Sequence, residues 1–276
     1  MRQVLVVEHF ERTIREQSFE LLEAAKAVSQ DEKADITAVI LGENVLSLAE
    51  EFSKKSGVKT VAINNSDLKT YNGEIYCKVL AEFLKSHGFS ICLSSHTTQS
   101  LDFIPALSIR TGATCLTAIE SAIQGEEGAV LFNRTICNEK IVTSVKPISD
   151  RLILSIQPGS FRASEVEQNF EPDVESVESG ATCVKSRNLS VETANLDNSG
   201  LTEAPVVVAV GRGIEDEENL SLIKDLAALF PKSAIAGSRP LCDLGWLEYR
   251  QQVGVTGATV APKLYLACGI SGASQH

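Results

Sequence analysis

Four short turns late in the chain could do chemistry: GRG (Gly211–Gly213), GSRP (Gly237–Pro240), QVGVTG (Gln252–Gly257) and GISGASQH (Gly269–His276). Their residue types are those of a binding site. Arginine offers a fixed cation with forked donors, serine and threonine offer hydroxyls, and glycine lets a ligand come close to backbone N–H groups. Any one of them alone reads as an ordinary turn. Together they fall at successive strand ends, where an open α/β sheet holds its ligand, and point to one large anionic, hydrogen-bonding molecule such as a phosphate-bearing cofactor. GRG lacks the third glycine of a dinucleotide fingerprint. It also runs into Ile-Glu-Asp-Glu-Glu, carboxylates expected in the first turn of a helix, where they suit its dipole and repel phosphate. That leaves the Arg212 side chain as the contact. No convincing acid–base pair accompanies these turns.

The elements that must position them alternate strand and helix. VLVVE, DITAVILG, VKTVAIN, FSICLSS and ATCLTAI are short, largely apolar runs. Between them lie helical patterns over about Glu16–Ser29, Val45–Ser56 and Asn72–Gly88, and one over SLDFIPALSIRTG expected to be interrupted near Pro105. Buried parallel strands with helical crossovers indicate an α/β fold with a doubly wound sheet. No Gly-rich turn follows VLVVE, and SSHTTQS (Ser94–Ser100) reads as a polar strand-to-helix turn with a capping hydroxyl. AVLFNRTICNEKIVTSVKP predicts a hairpin around NEK, and RLILSIQPGSF another strand. Residues 1–161 therefore form an N-terminal α/β domain. Residues 162–204, rich in Glu, Ser, Asn and Asp, read as a connecting segment, part extended and part loop. Residues 205–276 form a Rossmann-like domain that is short for a dinucleotide site. It carries a strand in APVVVAVGRG, a helix over Glu215–Phe230, and strands in AIAGS and VAPKLYLACGIS.

Bulk properties narrow the class. A net charge of −11 over 276 residues argues against nucleic acid and against an anionic membrane surface. No apolar run approaches the roughly 18 residues of a membrane span, and the N-terminus has too few apolar residues for a signal peptide. The seven cysteines are dispersed without a CxxC, which predicts reduced thiols and a cytoplasmic protein. The four histidines are far apart, so no metal site is expected. Cys268 reads as core packing, and Cys242 as a thiol near the proposed ligand.

The run GRG–GSR–QVGVTG–VAPKLYLACGISGASQH, with Asp243-Leu-Gly245 after Ser238 and Arg239, resembles the FAD-binding domain of the electron-transfer flavoprotein alpha subunit. VLVVEHF and NRTICNEK are compatible with that family's first domain. The resemblance implies FAD held by Arg212, Ser238, Arg239, Val253, Gly254, Val255, Thr256, Ser271, Gly272, Ala273, Ser274, Gln275 and His276. It places Arg239 close to the flavin ring and Thr256 at its polar edge. His276 would lie near N1 and the C2 carbonyl, with Ser271 and the Gly272 backbone on the pyrophosphate. Val255 stands where Gln is frequent, and Ser274 where Ile or Val is usual. Family members continue with a helix, further strands and adenosine-holding Asn and Asp residues, so the domain is expected to be incomplete at its C-terminus. The implied function is electron carriage, not catalysis. The chain would pair with a beta subunit, take electrons from flavoprotein dehydrogenases, and deliver them to a quinone reductase or another acceptor; a bifurcating variant is a near relative. The alternative is a truncated, flavin-free subunit acting only as a structural partner.

Overall fold

The computed structural model describes residues 1–10, 12–29, 35–125, 129–137, 140–161, 170–180, 184–189, 200–201, 204–254, 257–258 and 260–272. The chain forms two compact units, Met1–Val191 and Glu192–His276.

The first unit begins with β1 (Arg2–Val6), a small hairpin of β2 (His9–Phe10) and β3 (Thr13–Ile14), and α1 (Gln17–Ser29). It continues with β4 (Asp35–Gly42), α2 (Leu46–Ser56), β5 (Lys59–Asn64) and α3 (Gly73–His87). Then come β6 (Ile91–Ser95), α4 (Thr98–Thr111), β7 (Thr114–Ile119), β8 (Ser121–Gln124), β9 (Val130–Ile136), β10 (Ile141–Val145), β11 (Leu152–Ile156) and β12 (Val174–Glu178). Seven strands form one parallel sheet in the order β12-β5-β4-β1-β6-β11-β7. Each central strand is buried on both faces, hence the unbroken apolar runs. Alternate residues feed two cores. Leu5, Ala38, Ile40 and Leu93 pack with Leu21 of α1 and Phe52 of α2. Val4, Val6, Val39 and Cys92 pack with Leu80 of α3 and Phe103 of α4. Helices on both faces make the sheet doubly wound, as the sequence predicts.

Local signals hold at several ends. The Asn72 side chain accepts from the N–H groups of Glu74 and Ile75, both at 3.1 Å, capping α3. Gly57 ends α2 in the left-handed region at φ 70°. Thr97 caps α4 by accepting from the Ser100 N–H at 3.2 Å. The predicted hairpin is the antiparallel β9–β10 pair, with β8 as its third strand.

One expectation is corrected. α4 runs unbroken through Pro105, whose ring lies on the exposed face; the Leu101 carbonyl that loses its donor there belongs to an exposed residue and can turn to water. Within the connecting stretch, Val174–Glu178 is a strand. β12 pairs in parallel with β5 from Val174↔Thr60 to Glu178↔Asn64. Its polar composition suits an edge position, where one side meets solvent.

A buried polar cluster closes the carboxyl end of β1. Glu8 is 5% exposed, and its Oε1 accepts from Ser100 Oγ at 2.9 Å and from Thr97 Oγ1 at 2.5 Å. Burial raises its pKa above the ordinary 4.5, against the pull of those hydroxyls and of Arg15. A carboxyl with a folded pKa above its unfolded value retains a proton the unfolded chain has lost. Its contribution is therefore fully present below about pH 4.5 and lost as pH rises through the folded pKa. Glu8→Gln keeps an acceptor and removes the charge. Relative to the wild type, the variant should gain stability as pH rises from 4 to 7, read as a growing difference in denaturant midpoint. A difference that shrinks with pH would contradict the assignment.

The second unit holds β13 (Val206–Val210), α5 (Leu220–Ala228), β14 (Ser233–Gly237), α6 (Arg239–Asp243) and β15 (Leu264–Cys268). Its three strands are parallel, in the order β14-β13-β15. Val208, Val210 and Leu241 pack against Leu220 and Ile223 of α5. Val207, Ala209 and Ala236 pack under Leu201, Ala204 and Val253 on the other face.

Candidate functional site

Register assembles the site. Val210 pairs with both Gly237 and Cys268, so three strands end level and the turns after them share one carboxyl edge. Those turns carry Arg212, then Ser238 and Arg239, then Ser271 and Gly272. The fourth is drawn in by a parallel bridge between Gly237 and Gln252 and by the Val253 N–H, which donates to the Gly237 carbonyl at 2.9 Å. The structure thus brings together Arg212, Ser238, Arg239, Val253, Gly254, Ser271 and Gly272. Val255, Thr256, Ala273, Ser274, Gln275 and His276 lie outside the described residues.

The glycines of GRG have a role that their sequence does not disclose. The Gly211 N–H donates to the Cys268 carbonyl and the Gly213 N–H to the Gly269 carbonyl, each at 2.9 Å. A Cβ on Gly211 would lie 2.5 Å from the Gly269 oxygen. Gly269 itself sits at φ 65°, its Cβ position 2.8 Å from the Gly213 carbonyl carbon. Two backbone turns therefore pack directly on one another, fixing the first strand end against the last. Sequence reasoning gives Gly269 no role of its own; its one signal is a glycine placed directly after a strand.

The acidic run also moves. Glu215 has φ 71°, which takes the chain off a helical path, and a 3₁₀ turn spans Glu217–Asn219 before α5 begins at Leu220. The expected helix from Glu215 is thus shorter, and its carboxylates stand before the first turn, not in it. They are exposed, free to point into water, and no longer a fixed repulsive wall at the site.

The donors fit an anionic, polar ligand. Arg212 is exposed and has no acidic partner among the described residues. Arg239 reaches Asp243 at 3.6 Å with both side chains about half exposed; such a pair is worth no more than about 1 kcal/mol and yields readily to a better anion. Ser238 is 8% exposed, and its hydroxyl makes no hydrogen bond among the described residues. Its N–H is taken by the Val210 carbonyl at 2.9 Å. The N–H groups of Ile270, Ser271 and Gly272 likewise donate to nothing described, and Gly272 has φ 77° with open space beside it. Buried Cys242 donates to the Glu248 carbonyl at 3.5 Å. Burial pushes its thiol pKa up, and Asp243 adds to the rise, so it is a poor thiolate. Among the described residues the six cysteines are free thiols and no cluster could hold a metal. No helix there is long and apolar enough to cross a membrane.

Comparison with known proteins finds matches in both units. Residues 200–276 match the electron transfer flavoprotein FAD-binding domain, and residues 3–182 match the electron transfer flavoprotein domain. The electron transfer flavoprotein subunit alpha of Bacillus subtilis is 31% identical over 264 residues, covering 95% of this chain and 80% of the relative. That of Megasphaera elsdenii is 28% identical over 278 residues, covering 98% and 82%. Protein FixB of Clostridium saccharobutylicum is 30% identical over 275 residues, covering 98% and 81%.

Proposed function

Because the chain belongs to the electron transfer flavoprotein alpha-subunit family and carries its FAD-binding domain, we propose that it holds FAD at the carboxyl edge of its three-stranded sheet and carries electrons between flavoprotein dehydrogenases and a downstream acceptor. The observation that carries this reading is the level ending of β13, β14 and β15, which gathers two arginines, the hydroxyl of the buried residue Ser238 and a row of N–H groups that donate to nothing among the described residues. Bound FAD supplies reversible electron transfer, and the protein's part is to orient and tune it.

In this reading the Ser271 hydroxyl and the N–H groups of Ile270 and Gly272 donate to the pyrophosphate, anions suiting a nest of backbone donors. Arg212 adds a cation from the first turn. Ser238 offers its hydroxyl from a position with little freedom to turn away. Arg239 faces the ring, where a positive charge favours the reduced, anionic state. Val253 and Gly254 bring the loop toward Val255 and Thr256 at the ring's polar edge, and Ala273, Ser274, Gln275 and His276 complete the contact set. A beta subunit is the partner. No acid, base or nucleophile is required of the chain.

Arg239→Ala should keep flavin but shift its reduction potential to more negative values, and Arg239→Lys should restore much of the shift. Spectroelectrochemistry of the purified protein with its beta subunit checks this. An unchanged potential in the Ala variant would remove Arg239 from the ring. The reading as a whole is tested by the visible spectrum of the purified chain, alone and with its beta subunit. Flavin absorption released as FAD on denaturation supports it. A colourless protein in both preparations sinks it, and colourless protein that still pairs favours a purely structural subunit.

A further inference from the structure

The first unit contains a cavity of about 380 Å³, within the roughly 300–1,000 Å³ typical of small-molecule sites. Its place in the fold is informative. From β1 the chain winds outward through α1 to β4 and β5. It then returns through α3 to β6 on the other side of β1. Neighbours β1 and β6 are therefore the point at which the winding reverses, and an open α/β sheet binds ligands in the crevice at the carboxyl ends of such a pair. The cavity lies there. Phe10, from the segment after β1, and Gln99, from the helix after β6, both line it.

Its chemistry is specific. Phe10, Tyr71 and Tyr76 contribute aromatic wall. The Tyr71 hydroxyl donates to Asp102 Oδ2 at 2.9 Å, which anchors the ring, and Asn188 Nδ2 donates to the Tyr71 backbone carbonyl at 2.6 Å, which anchors its backbone. The Tyr76 hydroxyl is buried and meets no hydrogen-bond partner among the described residues, although it lies near the Gln99 side chain. Burial raises the pKa of both phenols, which keeps them neutral donors. Lys69 lines the same cavity, is exposed, and forms no ion pair among the described residues. The Arg15 guanidinium lies 5.1 Å from the centre of the Phe10 ring, one of the lining side chains. Stacking walls, an amide able to read polar ring edges and an unpaired cation form a set that suits one kind of ligand.

We propose that this cavity is a second ligand site, distinct from the FAD site, for a planar heteroaromatic ring bearing one anionic group, the ring lying against Tyr71 and Tyr76 with its polar edge on Gln99 and the anion on Lys69. The proposal does not depend on the flavin reading, since every residue it uses belongs to the first unit.

Isothermal titration calorimetry of the full chain with adenosine 5′-monophosphate as probe tests it. Saturable binding near one equivalent is expected. Loss of one charge-assisted contact should weaken it about tenfold in Lys69→Ala, a change at an exposed position that leaves thermal stability unaltered. Ribose 5-phosphate should bind far more weakly, and adenosine should bind about as Lys69→Ala binds the nucleotide. Arg212→Ala should match the wild type. No saturable heat with the nucleotide overturns the proposal. So does equal affinity for ribose 5-phosphate, which would make the ring irrelevant. Binding lost in Arg212→Ala but kept in Lys69→Ala overturns it as well, because it assigns the nucleotide to the FAD-binding unit.

Discussion

Gly211→Ala is expected to cost the protein its FAD and to lower the unfolding free energy by about 3 kcal/mol, the upper part of the range for overpacking a tight interior contact. The backbone angles of Gly211 are ordinary, φ −125° and ψ 178°, so strain in φ is not the cause. The cause is space. The new Cβ would stand 2.5 Å from the Gly269 oxygen and 3.0 Å from Ile270 Cα, both backbone atoms that cannot rotate away. To relieve the contact, the turn after β13 must part from the turn after β15. That breaks the N–H bonds from Gly211 and Gly213 into the second turn and disperses the donors at Ile270, Ser271 and Gly272. Gly180→Ala is the control, because nothing lies within 4 Å of its Cβ position; it should unfold like the wild type and retain flavin. Denaturant unfolding and flavin content after desalting measure both effects. A Gly211→Ala protein with wild-type stability and full flavin would show that the two turns do not pack as described.

The second large effect belongs to Phe52. This side chain is fully buried, sits on α2 in the core shared with α1, and stacks on Phe19 with ring centres 5.0 Å apart and planes 25° apart. Truncation removes a large apolar surface from the core and leaves a void that α2 cannot fill, since its other buried residues are already seated against the sheet. Phe52→Ala should therefore cost about 3–5 kcal/mol. Leu189→Ala, at a position 85% exposed, should stay within about 0.5 kcal/mol of the wild type. Equal denaturation midpoints for the two variants would place Phe52 outside the core.

Much of this architecture is legible in the amino-acid sequence alone. The central strands are apolar throughout because both faces of a parallel sheet are covered, and that pattern survives in a linear reading. So do caps such as Asn72 and Gly57, which act within four residues of their own position. The turns proposed to hold the ligand are legible for the same reason: arginine, serine and glycine types at strand ends are local facts, and the last 77 residues match one family's FAD-binding domain.

What only the tertiary structure decides is longer in range. β11 inserts between β6 and β7, and β12 joins β5 across more than a hundred residues; nothing local in RLILSIQ or VESVE names a neighbour. In sequence, GRG reads as a phosphate turn weakened by acids. The fold uses its two glycines to seat Gly269, and it sets the acids ahead of α5 because Glu215 leaves the helical path. The cavity at the β1–β6 junction is invisible in sequence because its lining comes from segments around Phe10, Lys69–Tyr76 and Gln99 that lie far apart in the chain, none unusual alone. Residue type and short spacing determine which groups this chain can offer to a ligand. Which of them meet depends on strand register and on close backbone contacts, interactions between residues that the sequence holds far apart.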